Sequence, residues 1–328
     1  MLSRAFGGAR RLLYSSGMFA NLVRLALLAE LAAWTALGAW LARSHGWSVA
    51  GAVVLAVAGS AGIRLALVCT TLGLSWLARS PREPGERLGP AGIVRLVAGE
   101  WRAMLANNFA WIPFERLVVR ADPPLAPAAR VPVILVHGYF SNRGTVSGLA
   151  NALDAAGIAP VFVPSLPAIL APIEAFAEHL ARIVDEVTQA TGQPRAILVC
   201  HSMGGLVART YLRSRGAGRV AGLVTLGSPH HGTALAKLGA GHNGRQMRAG
   251  SEFLRDLERA EGEGGPGCEA LSVFTVHDNL VAPQESSRLG WARSVRLHGV
   301  AHLAMLLDPR VHRAVLEEVG RLGAGPAG

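Results

Sequence analysis

At 328 residues, 51% of them hydrophobic and only 16% charged, the chain is long enough for one large domain plus an appendage, and too apolar for a uniformly solvated protein. Its net charge of +10 comes almost wholly from arginine, since Lys237 is the only lysine. The arginines are dispersed and lack aromatic interleaving, which argues against a nucleic-acid partner; they flank apolar segments, which favours an anionic membrane surface.

Arg4, Arg10 and Arg11 lie in a mixed leader. Residues 20–41 are then almost wholly apolar, interrupted by Arg24 and Glu30, and match the roughly 20 residues of a spanning helix. A second apolar stretch, 47–77, contains Arg64. A signal peptide over residues 1–42 is the competing reading. The apolar core is longer than such a peptide needs, and a second apolar segment follows it. The expectation is a transmembrane helical hairpin in which Glu30 and Arg64 pair, because an unpaired charge in a bilayer is costly. Arg79, Arg82, Arg87 and Arg95 follow the second stretch, whereas only Arg43 lies between the two. The positive-inside rule then puts both ends, and the next domain, in the cytoplasm, with a bacterial inner membrane as the site. The domain expectation is residues 1–78 as membrane helices, 79–130 as linker and lead-in, and 131–328 as a catalytic domain. Within the lead-in, 79–99 reads as linker, rich in Pro, Gly, Arg and Glu, and 100–118 as helical and then extended.

From Val131 the rhythm is strand and helix in alternation. Strands are predicted at 131–136, 159–163, 196–199, 220–226, 272–276 and 295–297; helices at 144–156, 171–191, after Ser202, and at 308–322. This order predicts an α/β domain with a mostly parallel sheet covered on both faces, and a site at the carboxyl ends of its strands.

The chemistry centres on Ser202. It stands at the apex of a strand–sharp turn–helix pattern, with Gly204 two residues on and Cys200 where the pattern G-x-S-x-G has its first glycine. A serine hydroxyl needs a base within reach and an acid to orient that base. Asp278 and His302 follow the last two strands in the order acid, then histidine. His298, His277 and Asp256 compete less well, by placement. The amide of Met203 and that of Tyr139 or Phe140, in the turn after the first strand, are the candidate oxyanion donors. The paired His230 and His231 lack a third ligand at a known spacing, so neither a metal nor an organic cofactor is indicated.

Five segments carry a family resemblance: 133–139, 200–209, 225–233, 277–283 and 299–303. With them the chain from about Val131 resembles the α/β-hydrolase superfamily, and within it the bacterial triacylglycerol lipase and esterase group. The resemblance implies Ser202 as nucleophile, His302 as base and Asp278 as orienting acid, and a structural role for Ser228–Gly232. It implies cleavage of carboxylic esters, lipids foremost; thioester hydrolysis or acyl transfer uses the same constellation. The contrary hypothesis is a catalytically idle membrane-bound module. Residues 233–270, longer than an ordinary connection, are expected to be a lid over the site or a docked surface helix.

Overall fold

The computed structural model describes residues 17–158, 160–166 and 169–324. The basic flank Arg4, Arg10 and Arg11, and Ala159 at the start of the second predicted strand, lie outside these residues. Two long helices open the described chain, α1 (Gly17–His45) and α2 (Val49–Leu77), and they pack on each other as a hairpin. Ser48 starts α2 by accepting the Gly51 N–H, as an N-cap does. Glu30 and Arg64 do meet, 2.5 Å apart, and the guanidinium also lies over the Phe109 ring. The outward faces are apolar and exposed, including Leu25, Leu28 and Leu31 on α1 and Val53, Val54 and Val57 on α2.

The linker expectation meets a regular helix. Residues from Pro90 onward form α3 (Pro90–Ala106), so half of the segment read as linker is helical. Gly89 and Pro90 are the start signal of this helix: proline at the first helical position loses no hydrogen bond and presets φ. Leu96, Glu100 and Ala103 form its buried stripe.

The described residues of the sheet domain form six parallel strands in the order β2-β1-β3-β4-β5-β6. These are β1 (Val133–Val136), β2 (Val161–Phe162), β3 (Ala196–His201), β4 (Val220–Leu226), β5 (Ala270–Thr275) and β6 (Arg293–Leu297). Alternation along β1 sends Ile134 and Val136 to one face, and Val133 and Leu135 to the other. The first face is covered by α5 (Ile173–Thr191) and α6 (Met203–Arg215), the second by α4 (Ser147–Ala155) and α9 (Pro309–Gly323). β6 begins two residues earlier than predicted. Its edge position lets Arg293 reach Glu318, while Arg296 reaches Glu86 and Glu285, so the strand carries charges, and Arg293 hides its start in a hydropathy reading.

Between β4 and β5, residues 233–270 divide in two. α8 (Glu252–Glu261) docks on α6 through buried Phe253, Leu254 and Leu257. The earlier part, with the short helix α7 (Gly241–Gln246), lies over the strand ends. Tyr139 Oη hooks it there, donating to Ala240 O and accepting from Ala240 N.

Arg209, on α6, is fully buried. It pairs through two nitrogens with Glu261 and donates a third bond to His230 O. Arg209→Ala leaves Glu261 buried without its cation. It is expected to destabilise the domain by about 3–5 kcal/mol. A fall in thermal unfolding midpoint against the parent protein, with Arg255→Ala at the surface as control, checks it.

Candidate active site

Ser202 follows β3 with φ 56° and ψ −126°, a left-handed conformation rare for a residue with a side chain. Such strain persists only where neighbours hold it. Here the Ser202 N–H donates to Leu226 O of the adjoining strand, and the Ser202 carbonyl receives the Gly205 N–H. Two glycines make the tight passage possible. A Cβ on Gly204 would lie 2.7 Å from Val136 O, and one on Gly138 would lie 2.8 Å from Ser202 Cβ. Cys200 is accommodated on the other side, buried in the layer with Leu206 and Val207. Burial pushes its thiol pKa up, so it acts as an apolar side chain.

Asp278 follows β5 and His302 follows β6, and the structure brings them together. His302 Nδ1 lies 2.8 Å from Asp278 Oδ2, with both side chains 2% exposed. The second Asp278 oxygen accepts the N–H groups of Leu280 and Val281, at 2.8 and 2.7 Å. Burial works against protonation of His302, but the Asp278 carboxylate and its hydrogen bond outweigh it and raise the imidazole pKa above the ordinary 6.5, with a smaller push from Glu100. The His201 ring packs 4.7 Å from that of His302 and is held neutral by burial. Ser202 and His302 line one cavity of about 290 Å³ without a hydrogen bond between them.

The turn after β1 faces the same cavity. Met203 is the first residue of α6, so its N–H has no partner within the helix. Phe140 has φ 46°, and its ring meets Phe19 of α1 edge-on. His137 Nε2 accepts the Leu166 N–H at 2.9 Å, which puts the ring proton on Nδ1, donating to Gly138 O. That pair of bonds fixes the turn. Tyr139, Phe140, Leu235, Leu238, Met247 and Leu280 give the cavity its apolar walls.

The competing candidates go elsewhere. His277 Nδ1 accepts the Gly299 N–H and joins two loops, His298 is exposed, and Asp256 pairs with Arg259 on the surface of α8. His230 and His231 diverge: the first turns inward to Thr225, the second outward to Glu258. Polar residues that the motif reading missed surround Asp278 and His302. Asn279 Oδ1 accepts the His302 N–H, and the fully buried Glu100 accepts those of Leu303 and Ala304. The one sequence signal for Glu100 was a carboxylate on the apolar stripe of α3.

Residues 131–244 match the family described as alpha/beta hydrolase fold. Among curated proteins, the chain is 33% identical over 168 residues to a triacylglycerol lipase of Pseudarthrobacter phenanthrenivorans, covering 49% of this chain and 47% of that protein. It is equally identical over the same length to a triacylglycerol lipase of Burkholderia plantarii, covering 49% of this chain and 42% of that one. The chain thus spans about half the length of the curated relatives it matches. Among solved structures, Aspergillus fumigatus lipase B superposes with TM-score 0.54 at 20% identity, over 62% of this chain and 56% of that one, a likeness of fold. With its parallel six-stranded sheet and its strained serine turn, the chain has the α/β-hydrolase fold, and over about half its length it is similar to bacterial triacylglycerol lipases.

Proposed function

We propose that this chain is a membrane-anchored serine hydrolase of carboxylic esters, acting on lipid through Ser202, His302 and Asp278. The observation that carries the reading is the strained Ser202 turn, opening on the same cavity as a buried His302 held by Asp278. His302 takes the Ser202 proton as Oγ attacks the acyl carbonyl, then gives it to the leaving alcohol. The Met203 amide and that of Tyr139 or Phe140 receive the developing oxyanion. Water, deprotonated by the same imidazole, releases the acyl group from Ser202. The apolar cavity walls suit an acyl chain. Lipid is the class named by the curated relatives, as triacylglycerol lipases.

Residues 1–78 serve as the membrane part, 79–130 as the connection and 131–328 as the catalytic domain. α1 and α2 each have 29 residues, so each is about 43 Å long against a hydrocarbon core of about 30 Å. The surplus lies where Phe19 and Ala20 begin α1 and Ser75 ends α2, all buried against the protein. The arginines after α2 support a cytoplasmic domain at a bacterial inner membrane.

Hydrolysis of p-nitrophenyl esters of graded chain length by the detergent-solubilised protein tests the chemistry. Rates that rise with chain length favour lipid substrates; no turnover and no fluorophosphonate labelling would point to an idle module, and preference for a thioester to a thioesterase. Cofractionation with vesicles after alkaline extraction tests the anchor, and protease digestion of spheroplasts tests the orientation. His302 accepts a proton only when neutral, and its pKa is raised; Asp278, Glu100 and the neutral His201 face it. Activity is therefore expected to be lost as pH falls through a value above 6.5, higher than an unperturbed histidine gives. The acidic limb of kcat/KM on a soluble ester measures it.

A further inference from the structure

We propose that α2 and α3, which lie outside the sheet domain, are part of the catalytic apparatus: Thr71, Ser75 and Glu100 are positioning residues that hold the loops of Asp278 and His302. The inference rests on the reading of Ser202, His302 and Asp278 as the triad. It makes the apolar hairpin more than a tether.

Asp278 and His302 stand on separate loops, beyond the ends of neighbouring strands. The sheet ladder fixes β5 against β6 as far as Thr275 and Leu297, and Asp278 and His302 lie past those residues. Three contacts from the N-terminal region take over where the ladder stops. Ser75, in the last turn of α2, donates to the main-chain carbonyl of Asp278 at 2.6 Å. Gln284 Nε2 closes a triangle, 2.9 Å from both that carbonyl and Ser75 Oγ, and both side chains are buried. The acid is thus gripped from two sides, by its carboxylate within the domain and by its carbonyl from α2.

One turn earlier, Thr71 Oγ1 donates back to Leu67 O and Val68 O. That leaves its lone pair for Asn279 Nδ2, 2.9 Å away. The oxygen of the same amide accepts the His302 N–H at 3.1 Å. One side chain, fully buried, therefore connects α2 to the backbone of the base. The orientation of the Asn279 amide follows from its partners, since a flipped amide would set its NH2 against the His302 N–H.

The third contact comes from α3. Glu100 Oε1 accepts the Leu303 N–H at 3.1 Å, and Oε2 accepts that of Ala304 at 2.8 Å. These are the two residues after His302. α3 is in turn tied to α2, since Trp101 Nε1 donates to Ala61 O at 2.9 Å. A buried donor or acceptor left without its partner is costly, so breaking any of these contacts favours a shifted loop over a vacant one. A shift of about 1 Å in a reacting group can cost about 100-fold in rate.

The test uses the full chain in detergent with p-nitrophenyl butyrate as substrate, comparing the parent with the double variant Thr71→Val/Ser75→Ala. The expected result is a kcat lower by about tenfold or more, with KM within twofold, and fluorophosphonate labelling of Ser202 slowed in step. Thr71→Ser, which keeps the acceptor, is expected to recover the kcat that Thr71→Val loses. Thr71 also lines the cavity, so KM separates contact with substrate from positioning. A folded double variant with kcat within twofold of the parent overturns the proposal, as does a change confined to KM. If the double variant does not fold, Glu100→Gln decides: it keeps the shape but sets an NH2 against one of two backbone donors. A tenfold fall in kcat supports the proposal, and an unchanged kcat overturns it. Failure of the underlying hydrolase reading is distinct, because the parent protein itself would then neither turn over ester nor take up the probe.

Discussion

Ser202→Ala is expected to lower kcat toward an ester by about 10⁶-fold, while leaving KM and the thermal midpoint close to those of the parent. The loss is that of a covalent route. Without Oγ there is no acyl-enzyme, and water must attack a carbonyl that the site was not shaped to offer it. A residual rate above that of free water should survive, because the amides of Met203 and of Tyr139 or Phe140 still receive the oxyanion. The fold should survive as well. Alanine meets the same left-handed backbone at φ 56° that serine does, and the bond from the residue 202 N–H to Leu226 O does not involve the side chain. A steady-state assay on the purified variant, with fluorophosphonate labelling beside it, gives the answer. An active Ser202→Ala protein would remove the serine mechanism altogether, whatever the fold.

The parts legible in the sequence are those that local physics writes into adjacent residues. The buried strands β1, β3 and β4 are runs of Val, Ile and Leu, and a sharp turn into a helix requires small residues beside Ser202. Both are short-range statements. Glu30 and Arg64 were also legible, because two charges in otherwise apolar helices have few partners except each other. The start of α3 was obscured by Gly89 and Pro90, which punctuate a loop and open a helix with equal ease. The start of β6 was obscured by Arg293, whose partner Glu318 comes from another part of the chain. Nothing in periodicity relates Ser75 to Asp278, or Thr71 to Asn279, across some two hundred residues. Buried polar contacts of this kind follow from how the hairpin seats on the strand ends, which no local pattern encodes. The polar shell around Asp278 and His302 was therefore the least readable part of the site, although the meeting of Asp278 and His302 could be expected from their order after the last two strands.

Asp278→Asn is expected to lower kcat by about 10⁴-fold with little change in shape. The carboxylate has two duties, and an amide can satisfy only one. Oδ1 accepts from the Leu280 and Val281 amides, and Oδ2 accepts from His302 Nδ1. Asparagine has one oxygen, and the two backbone donors will claim it, leaving the NH2 toward His302. An NH2 there favours the imidazole tautomer with its lone pair on Nδ1 and its proton on Nε2. That tautomer turns an N–H, not a lone pair, toward the cavity, so the base cannot take the Ser202 proton. The substitution also removes the charge that outweighs burial at His302, so the imidazole pKa should fall. The acidic limb of whatever activity remains should therefore move to lower pH, opposite to the effect of adding a neighbouring carboxylate. The two readouts are independent: the fall in kcat reports the tautomer, and the displaced limb reports the charge. A variant with a 10⁴-fold loss and an unmoved limb would mean that the carboxylate orients His302 without tuning it. A variant with near-parental kcat would mean that another group orients the base. Glu100 is one candidate, since its charge also raises the His302 pKa.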